Sequence, residues 1–255
     1  MIGIVGGIGP YAGIDLIRKV FDHTVAEMDQ EHLDVALLSH SSSIPDRTAF
    51  LLGKVKENPG PAIAKVLKRL ESVGATIAGI PCNTAHAEPI YRAMLEDLEK
   101  AGSRIRVVHM IRETVSFITE NYPDVRKVGI MSTTGTRLSR VYVNELVANG
   151  YEALNPSEEI QIELIHDAIF HPDFGIKSKS NPVQPRAIES LMEGFRNLKG
   201  KGAQAVILGC TEFTIPFSEK SITGMIAIDP TTVLARALIK AVAPEKLRPF
   251  KPVEE

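Results

Sequence analysis

The sequence has no long apolar run, no excess of charge of either sign, and only two cysteines. No apolar stretch is long enough to cross a membrane, and the mean hydropathy is near zero, at +0.02. The 29 Lys and Arg residues are scattered among 31 Asp and Glu residues, which argues against nucleic acid or an anionic membrane as a partner. The remaining composition, 44% hydrophobic and 24% charged, is that of a globular protein with a sizeable core.

The two cysteines, Cys82 and Cys210, lie 128 positions apart. The chain opens with Met1-Ile2-Gly3-Ile4-Val5 and shows no charged leader or cleavage site there, so we expect an unsecreted, cytoplasmic protein. Disulfides are rare in that compartment. Two buried, inert thiols and a disulfide are the alternatives to a functional pair.

Short β-branched runs alternate with amphipathic stretches from end to end, which predicts an α/β fold with parallel sheets. The predicted strands are Ile2 to Val5, Val35 to Leu38, Thr76 to Ile80, Ile105 to Val108, Val128 to Met131, Ala205 to Leu208 and Met225 to Ile228. The predicted helices include Ala62 to Val73, Ile90 to Lys100, Ile188 to Leu198 and Val233 to Val242.

The chain also repeats itself. Residues 2–9 align with residues 128–135 at an offset of 126, and residues 74–84 align with residues 202–212 at an offset of 128. Near-equal offsets indicate two similar lobes, each with a strand, a Gly/Ser/Thr turn, a helix and a later strand that ends in a cysteine. We therefore expect two pseudo-symmetric lobes, each a short, mostly parallel sheet flanked by helices, with the active site between the lobes. The first lobe is predicted to comprise residues 1–103 and 216–255, and the second residues 104–215.

Both cysteines follow an apolar run and precede a polar step, which places them at the carboxyl ends of strands, where ligands bind in open α/β sheets. The partial positive charge of a helix N-terminus just beyond each strand favours a thiolate. Racemisation needs two such groups, because it removes an α-proton from one face of a carbon and returns a proton to the other. A duplicated pair of thiols therefore suits a two-base reaction.

Six segments resemble the motifs of the aspartate/glutamate racemase family, most closely those of aspartate racemases, in the family's order and over nearly the whole chain. They are Gly6-Gly7-Ile8-Gly9-Pro10, Ile44-Pro45-Asp46-Arg47-Thr48, Pro81-Cys82-Asn83-Thr84-Ala85-His86, Ser132-Thr133-Thr134-Gly135-Thr136, Gly209-Cys210-Thr211-Glu212 and Ile228-Asp229-Pro230. The resemblance implies a racemase without pyridoxal phosphate, metal or nucleotide, with Cys82 and Cys210 as the catalytic pair, and with a homodimeric assembly. Aspartate is the expected substrate, with glutamate or a broader set of amino acids as alternatives.

The resemblance also implies a set of substrate-binding residues. Arg47 would bind the side-chain carboxylate, because a guanidinium grips a carboxylate with two parallel hydrogen bonds; a surface arginine paired with Asp46 is the alternative. Lys177 would be the second anchor for an acidic substrate, although a lengthened loop also makes Lys179 a candidate. The α-carboxylate and amino group would be held by Gly7, Ile8, Gly9, Asn83, Thr84, Thr133, Thr134, Thr136, Thr211 and Glu212.

Other functions have weaker support in the sequence. Gly7-Ile8-Gly9-Pro10-Tyr11-Ala12 has the spacing of a dinucleotide-binding turn, but the second strand ends in Ser39-His40-Ser41 and lacks the acidic residue that binds ribose. Cys82, His86, Cys210 and a carboxylate could compose a zinc site, but no local pair of them has the spacing of zinc ligands. His86 suits either a structural role or tuning of the Cys82 pKa. A diacid decarboxylase or isomerase, and a two-lobed binding protein with incidental thiols, remain the competing functions.

Overall fold

The computed structural model describes residues 1–218 and 220–252. Its strands are β1 (Ile2–Gly6), β2 (Val35–Ser39), β3 (Ile77–Gly79), β4 (Arg106–Val107), β5 (Lys127–Ser132), β6 (Glu152–Leu154), β7 (Ala205–Gly209), β8 (Ser221–Ile222) and β9 (Met225–Ile228). Its α-helices are α1 (Pro10–Asp22), α2 (Arg47–Leu51), α3 (Pro59–Ser72), α4 (Glu88–Lys100), α5 (Met110–Asn121), α6 (Thr134–Ser139), α7 (Val141–Ala148), α8 (Glu158–Ile160), α9 (His166–Phe170), α10 (Pro185–Gly200) and α11 (Pro230–Val242). A π-helical turn (Gln161–Ile165) joins α8 to α9.

The first compact unit comprises residues 1–113 and 231–251. Its sheet has the order β2-β1-β3-β4, and every pair in it is parallel. Successive side chains of β1 point to opposite faces. Ile2 and Ile4 therefore pack with α1 and α11, while Val5 packs with α3 and α4. Burial on both faces explains why β1 is apolar throughout rather than alternating.

The second unit contains residues 114–230. Its sheet has the order β6-β5-β7-β9-β8, parallel except for the β8–β9 pair. The first four strands repeat the order of the first sheet, with β5, β6, β7 and β9 in the places of β1, β2, β3 and β4. The predicted α/β fold with two mostly parallel sheets is confirmed, and the internal repeat appears as a repeated topology.

The unit boundaries differ from the lobe boundaries expected at 103/104 and 215/216. β4 pairs with β3, which keeps residues 104–113 with the first sheet. β9 pairs with β7, which keeps the described part of 216–230 with the second sheet. Strand pairing between distant segments decides both boundaries. Glu219 and residues 253–255, which the expected first lobe includes, lie outside the described residues.

Within residues 1–218 and 220–252, no helix is both long enough and apolar enough to cross a membrane. The longest, α10, has 16 residues and carries charged side chains along one face. This agrees with the absence of a long apolar run in the sequence.

Candidate active site

Each sheet has a point at which successive connections leave in opposite directions. In the first sheet, β2 lies on one side of β1 and β3 on the other, and in the second sheet β6 and β7 flank β5 in the same way. Ligands of open α/β sheets bind beyond the carboxyl ends of the strands at such a point. The loops after β1 and β3, and those after β5 and β7, are therefore where a site is expected. They carry most of the residues that the sequence singled out.

The loop after β1 is a glycine turn packed against its neighbour. Gly7 has φ of +83°, and a Cβ there would lie 2.6 Å from the backbone nitrogens of both His40 and Ser41. Only glycine fits such a close approach in the left-handed region. Gly9, also with positive φ, is the N-cap of α1, and Pro10 begins the helix. The turn thus lies directly beside the end of β2.

Cys82 follows β3 and begins a single 3-10 turn, Asn83–His86. Its thiol is free and the residue is 8% exposed. Asn83 and Thr84 are buried beside it. This group, together with the Gly7–Gly9 turn, is called the first-unit cluster.

His86 holds the backbone of Cys82 rather than its thiol. The His86 Nδ1 lies 3.0 Å from the Cys82 carbonyl oxygen, and the Met110 N–H donates to Nε2 over 3.2 Å. Since Nε2 accepts a hydrogen bond, Nδ1 carries the proton and donates to Cys82. Burial lowers the pKa of His86 to about 4, so the ring is neutral at pH 7. The sequence left a structural and a tuning role open, and these contacts favour the structural role.

Arg47 begins α2 and is half-buried. Its Nη1 donates to the Pro45 carbonyl oxygen over 3.3 Å, and its Nε is buried with no hydrogen-bond partner among the described residues. Asp46 is not used as a counter-ion in this arrangement, because its Oδ1 accepts the Ala49 N–H and caps α2. The guanidinium therefore keeps donor capacity that its own loop does not use.

The loop after β5 is shaped by its threonines. Thr133 is the N-cap of α6, where its Oγ1 accepts the Thr136 N–H over 3.2 Å and donates to Thr136 Oγ1 over 3.1 Å. Thr134 Oγ1 lies 3.0 Å from His166 Nδ1. These hydroxyls serve first to fix the turn against α9.

Cys210 lies directly after β7, is 4% exposed and has a free thiol. Its Sγ donates to Glu212 Oε2 over 3.1 Å, and Thr211 Oγ1 donates to the same oxygen over 3.2 Å. The other oxygen, Oε1, accepts from Lys177 Nζ over 2.5 Å. An ammonium, a carboxylate and a thiol thus form one chain of contacts, which together with Thr133–Thr136 is called the second-unit cluster.

The electrostatics of Cys210 differ from the sequence expectation. Burial, and then the Glu212 carboxylate, raise the pKa of Cys210 well above its usual value, against the opposing effect of Lys177. Burial also raises the pKa of Glu212, but the Lys177 ammonium and the hydrogen bonds from Lys177 and Cys210 outweigh it and lower that pKa to about 2. The expected helix N-terminus is a four-residue 3-10 turn, Thr211–Thr214. Cys210 is therefore a thiol at pH 7, not the thiolate that a helix dipole was expected to favour.

Lys177 is placed by the loop that follows α9. Its backbone N–H donates to the Ile169 carbonyl oxygen, and the preceding Ile176 N–H donates to Ala168. The loop folds back onto the helix end and directs Lys177 to Glu212. Lys179 is exposed, and its backbone N–H donates to Gly175. Of the two candidate lysines, Lys177 is the one that belongs to the second-unit cluster.

Gln161 is a residue that sequence reasoning missed. It begins the π-helical turn, is 2% exposed, and its Nε2 donates to the Ser132 carbonyl oxygen over 3.2 Å, at the carboxyl end of β5. The signal was present in the sequence, because Gln161 shares a face with Ile165, Ala168 and Ile169 at helical spacing. A glutamine among buried apolar residues needs partners for its amide.

A metal centre was a further alternative. Among the residues that the structure describes, no group of three or more His, Cys, Asp and Glu side chains is arranged to hold a metal ion. Cys82 and His86 meet through the Cys82 carbonyl oxygen instead.

A family model described as Asp/Glu/hydantoin racemase matches residues 5–238. The chain belongs to this family. It is also 27% identical over 159 residues to the broad-specificity amino-acid racemase RacX of Bacillus subtilis (strain 168), a match that covers 61% of this chain and 64% of that protein. The matched region thus spans just under two thirds of the length of that relative.

Solved structures of racemases share the fold. The aspartate racemase of Picrophilus torridus is 28% identical, with a TM-score of 0.76 over 94% of this chain and 93% of that chain. The glutamate racemase of Francisella tularensis, solved with D-glutamate, is 18% identical, with a TM-score of 0.65 over 98% of this chain and 83% of that chain. At that identity the second likeness concerns the fold alone, so the family and the two-sheet architecture are the common ground.

Proposed function

We propose that the chain is a cofactor-independent amino-acid racemase that interconverts L- and D-aspartate, with Cys82 and Cys210 acting on opposite faces of the same α-carbon. One observation carries this proposal. Two free, buried thiols follow the equivalent strands β3 and β7 of two sheets that share the order of four strands. Inert core cysteines have no reason to occupy equivalent places at the edge where ligands bind.

The two thiols must start a turnover in different protonation states. With D-aspartate, a Cys82 thiolate takes the α-proton and becomes a thiol, and the Cys210 thiol gives its proton to the opposite face and becomes a thiolate. L-Aspartate then leaves, and the reverse reaction begins from that state. The Cys210 contact with the Glu212 carboxylate supports its role as the donor in the first direction.

Proton transfer by positioned groups contributes only about 10² to 10⁴-fold. The rest of the acceleration is assigned to donors that stabilise charge on the α-carboxylate as the proton leaves. Asn83, Thr84 and Thr211 lie buried beside the thiols in sequence and supply such donors. The Gly7–Gly9 and Thr133–Thr136 turns complete the proposed set.

Aspartate is favoured over glutamate because the Picrophilus torridus relative, which is similar over nearly the whole of both chains, is named an aspartate racemase. RacX is named a broad-specificity enzyme, so neutral amino acids belong in the test. Arg47 is proposed to hold the side-chain carboxylate through donors that its own loop leaves unused. Lys177, whose ammonium contacts Glu212, is proposed as the second anchor of an acidic substrate through its positive charge. A homodimer and a cytoplasmic location complete the proposal.

The test is incubation with L-aspartate, L-glutamate and neutral amino acids in D₂O without cofactor, followed by NMR for α-deuteration and by optical rotation. We expect both signals with aspartate. Cys210→Ala should deuterate D-aspartate without inverting it, and Cys82→Ala should do the same to L-aspartate, because each remaining thiol serves one face. A single variant that still racemises near the wild-type rate contradicts the two-base mechanism. Loss of carbon dioxide without deuterated aspartate would indicate a decarboxylase instead.

A further inference from the structure

The amide oxygen of Gln161 is a buried acceptor that the protein itself does not use. Gln161 is 2% exposed, and no donor among the described residues lies within hydrogen-bond distance of its Oε1. The orientation of the amide is set by its other end, since Nε2 donates to the Ser132 carbonyl oxygen over 3.2 Å. Turning the amide over would place two acceptors against each other. A buried acceptor without a donor is destabilising, and a donor on a ligand would compensate it.

The position of this oxygen points to the second-unit cluster. The two heteroatoms of an amide are about 2.3 Å apart, so Oε1 lies within about 5.5 Å of the Ser132 carbonyl oxygen. Ser132 ends β5 and directly precedes Thr133 and Thr134. The π-helical turn that begins at Gln161 is itself a rare feature, and such turns occur frequently at functional sites.

We infer that Gln161 Oε1 accepts a hydrogen bond from the substrate's α-ammonium group. This inference rests on the proposed function. An ammonium has three N–H donors and no acceptor, whereas the proposed site otherwise consists mainly of donors. Glu212, the carboxylate of the second-unit cluster, already accepts from Lys177, Cys210 and Thr211. A neutral amide also leaves the ammonium its full positive charge, which favours a developing carbanion next to it.

The test separates the ammonium from the rest of the substrate. Succinate carries the two carboxylates of aspartate without the amino group, so its affinity does not depend on an acceptor for ammonium. Isothermal titration calorimetry measures the affinity of wild type and of Gln161→Met for succinate and for racemic aspartate. The racemate is used because the reaction does not change its composition. If glutamate is the amino acid that racemises, glutarate and racemic glutamate replace the pair.

We expect Gln161→Met to lose tenfold or more of its affinity for aspartate and less than twofold for succinate. Succinate binding also reports that the variant is folded. Gln184→Met is the matched control, because it makes the same change at a half-buried glutamine that donates to Pro182, and it should alter neither affinity.

Equal losses for both ligands, or no loss for aspartate, would overturn the assignment and leave Gln161 as a structural residue or the partner of an ordered water. If Gln161→Met does not fold, Gln161→Leu replaces it, because it also removes the acceptor oxygen and fills a similar volume. That variant should show the same selective loss of aspartate affinity, and equal losses for both ligands would overturn the assignment. A wild-type protein that deuterates no amino acid would reject the proposed function, a different outcome from equal losses in an active enzyme.

Discussion

The contacts of Cys210 predict that two substitutions change its reactivity in opposite directions. Glu212 accepts the Cys210 S–H and raises the pKa of that thiol, after burial, while Lys177 opposes the increase. Glu212→Gln keeps the shape of the side chain and removes its charge, so it should favour the thiolate. Lys177→Met removes the compensating cation and should disfavour the thiolate.

The size of the effect follows from the distance between the charges. Cys210 Sγ lies 3.1 Å from Glu212 Oε2, and two like unit charges whose centres are about 4 Å apart repel each other by about 4 kcal/mol at an effective dielectric constant of 20. Lys177 offsets part of this in the native protein. We therefore expect the thiolate population of Glu212→Gln to rise by about 10- to 100-fold at pH 8, and that of Lys177→Met to fall by about tenfold, since each 1.4 kcal/mol is a factor of ten.

The assay is the rate of alkylation by iodoacetamide, which reacts with the thiolate. The chain has two cysteines, so Cys82→Ser leaves Cys210 as the single thiol, and mass spectrometry then follows one site. Measurements from pH 8 to 9.5 keep Glu212 ionised in the Lys177 variant. Lys179→Met is the matched control, because Lys179 is exposed, and it should leave the rate unchanged.

The reasoning is refuted if Glu212→Gln slows alkylation, or if the Glu212 and Lys177 variants change the rate in the same direction. Changes confined to pH values at which the protein unfolds would not count, so circular dichroism is recorded at each pH.

Three further predictions concern substrate choice, acid stability and the glycine turn. Arg47→Ala should lower kcat/KM for aspartate more than kcat/KM for alanine, by an extra factor that corresponds to about 1.5 to 3 kcal/mol of activation free energy. An equal loss for both substrates would assign Arg47 to the shared α-carboxylate or to folding. His86 has a pKa lowered to about 4 by burial, so its contribution is complete above pH 6.5 and is lost as the pH falls from 6.5 towards 4, by roughly 3 kcal/mol. Urea unfolding at these pH values should show a smaller loss in His86→Asn than in wild type, and an identical pH dependence would contradict the neutral buried ring. Gly7→Ala should lower the free energy of unfolding by at least about 2 kcal/mol more than Gly53→Ala does. Both glycines have positive φ, but of the two only a Cβ at Gly7 would clash with its neighbours. Equal losses in urea unfolding would argue against the close approach of Gly7 to His40 and Ser41.

The sequence by itself determined the elements and the repeat. Apolar, β-branched segments such as Ile2 to Val5 and Ala205 to Leu208 form strands because burial on both faces of a parallel sheet demands such side chains. The near-equal offsets of the two repeated segments predicted two similar lobes, since a repeated pattern folds into a repeated unit.

Only the tertiary structure decided what depends on contacts between distant segments. β4 and β9 join their sheets by pairing with β3 and β7, and no local pattern in the sequence identifies which strands pair. Lys177 meets Glu212 35 positions away because a loop folds back onto α9. Burial, and then the Glu212 carboxylate, keep Cys210 a thiol against the effect of Lys177, where the local sequence favoured a thiolate. The amide of Gln161 is oriented by Ser132 29 positions earlier. Charge and hydrogen bonding act through space over a few ångströms, so a pattern read along the chain gives the place of a cysteine and not its protonation state.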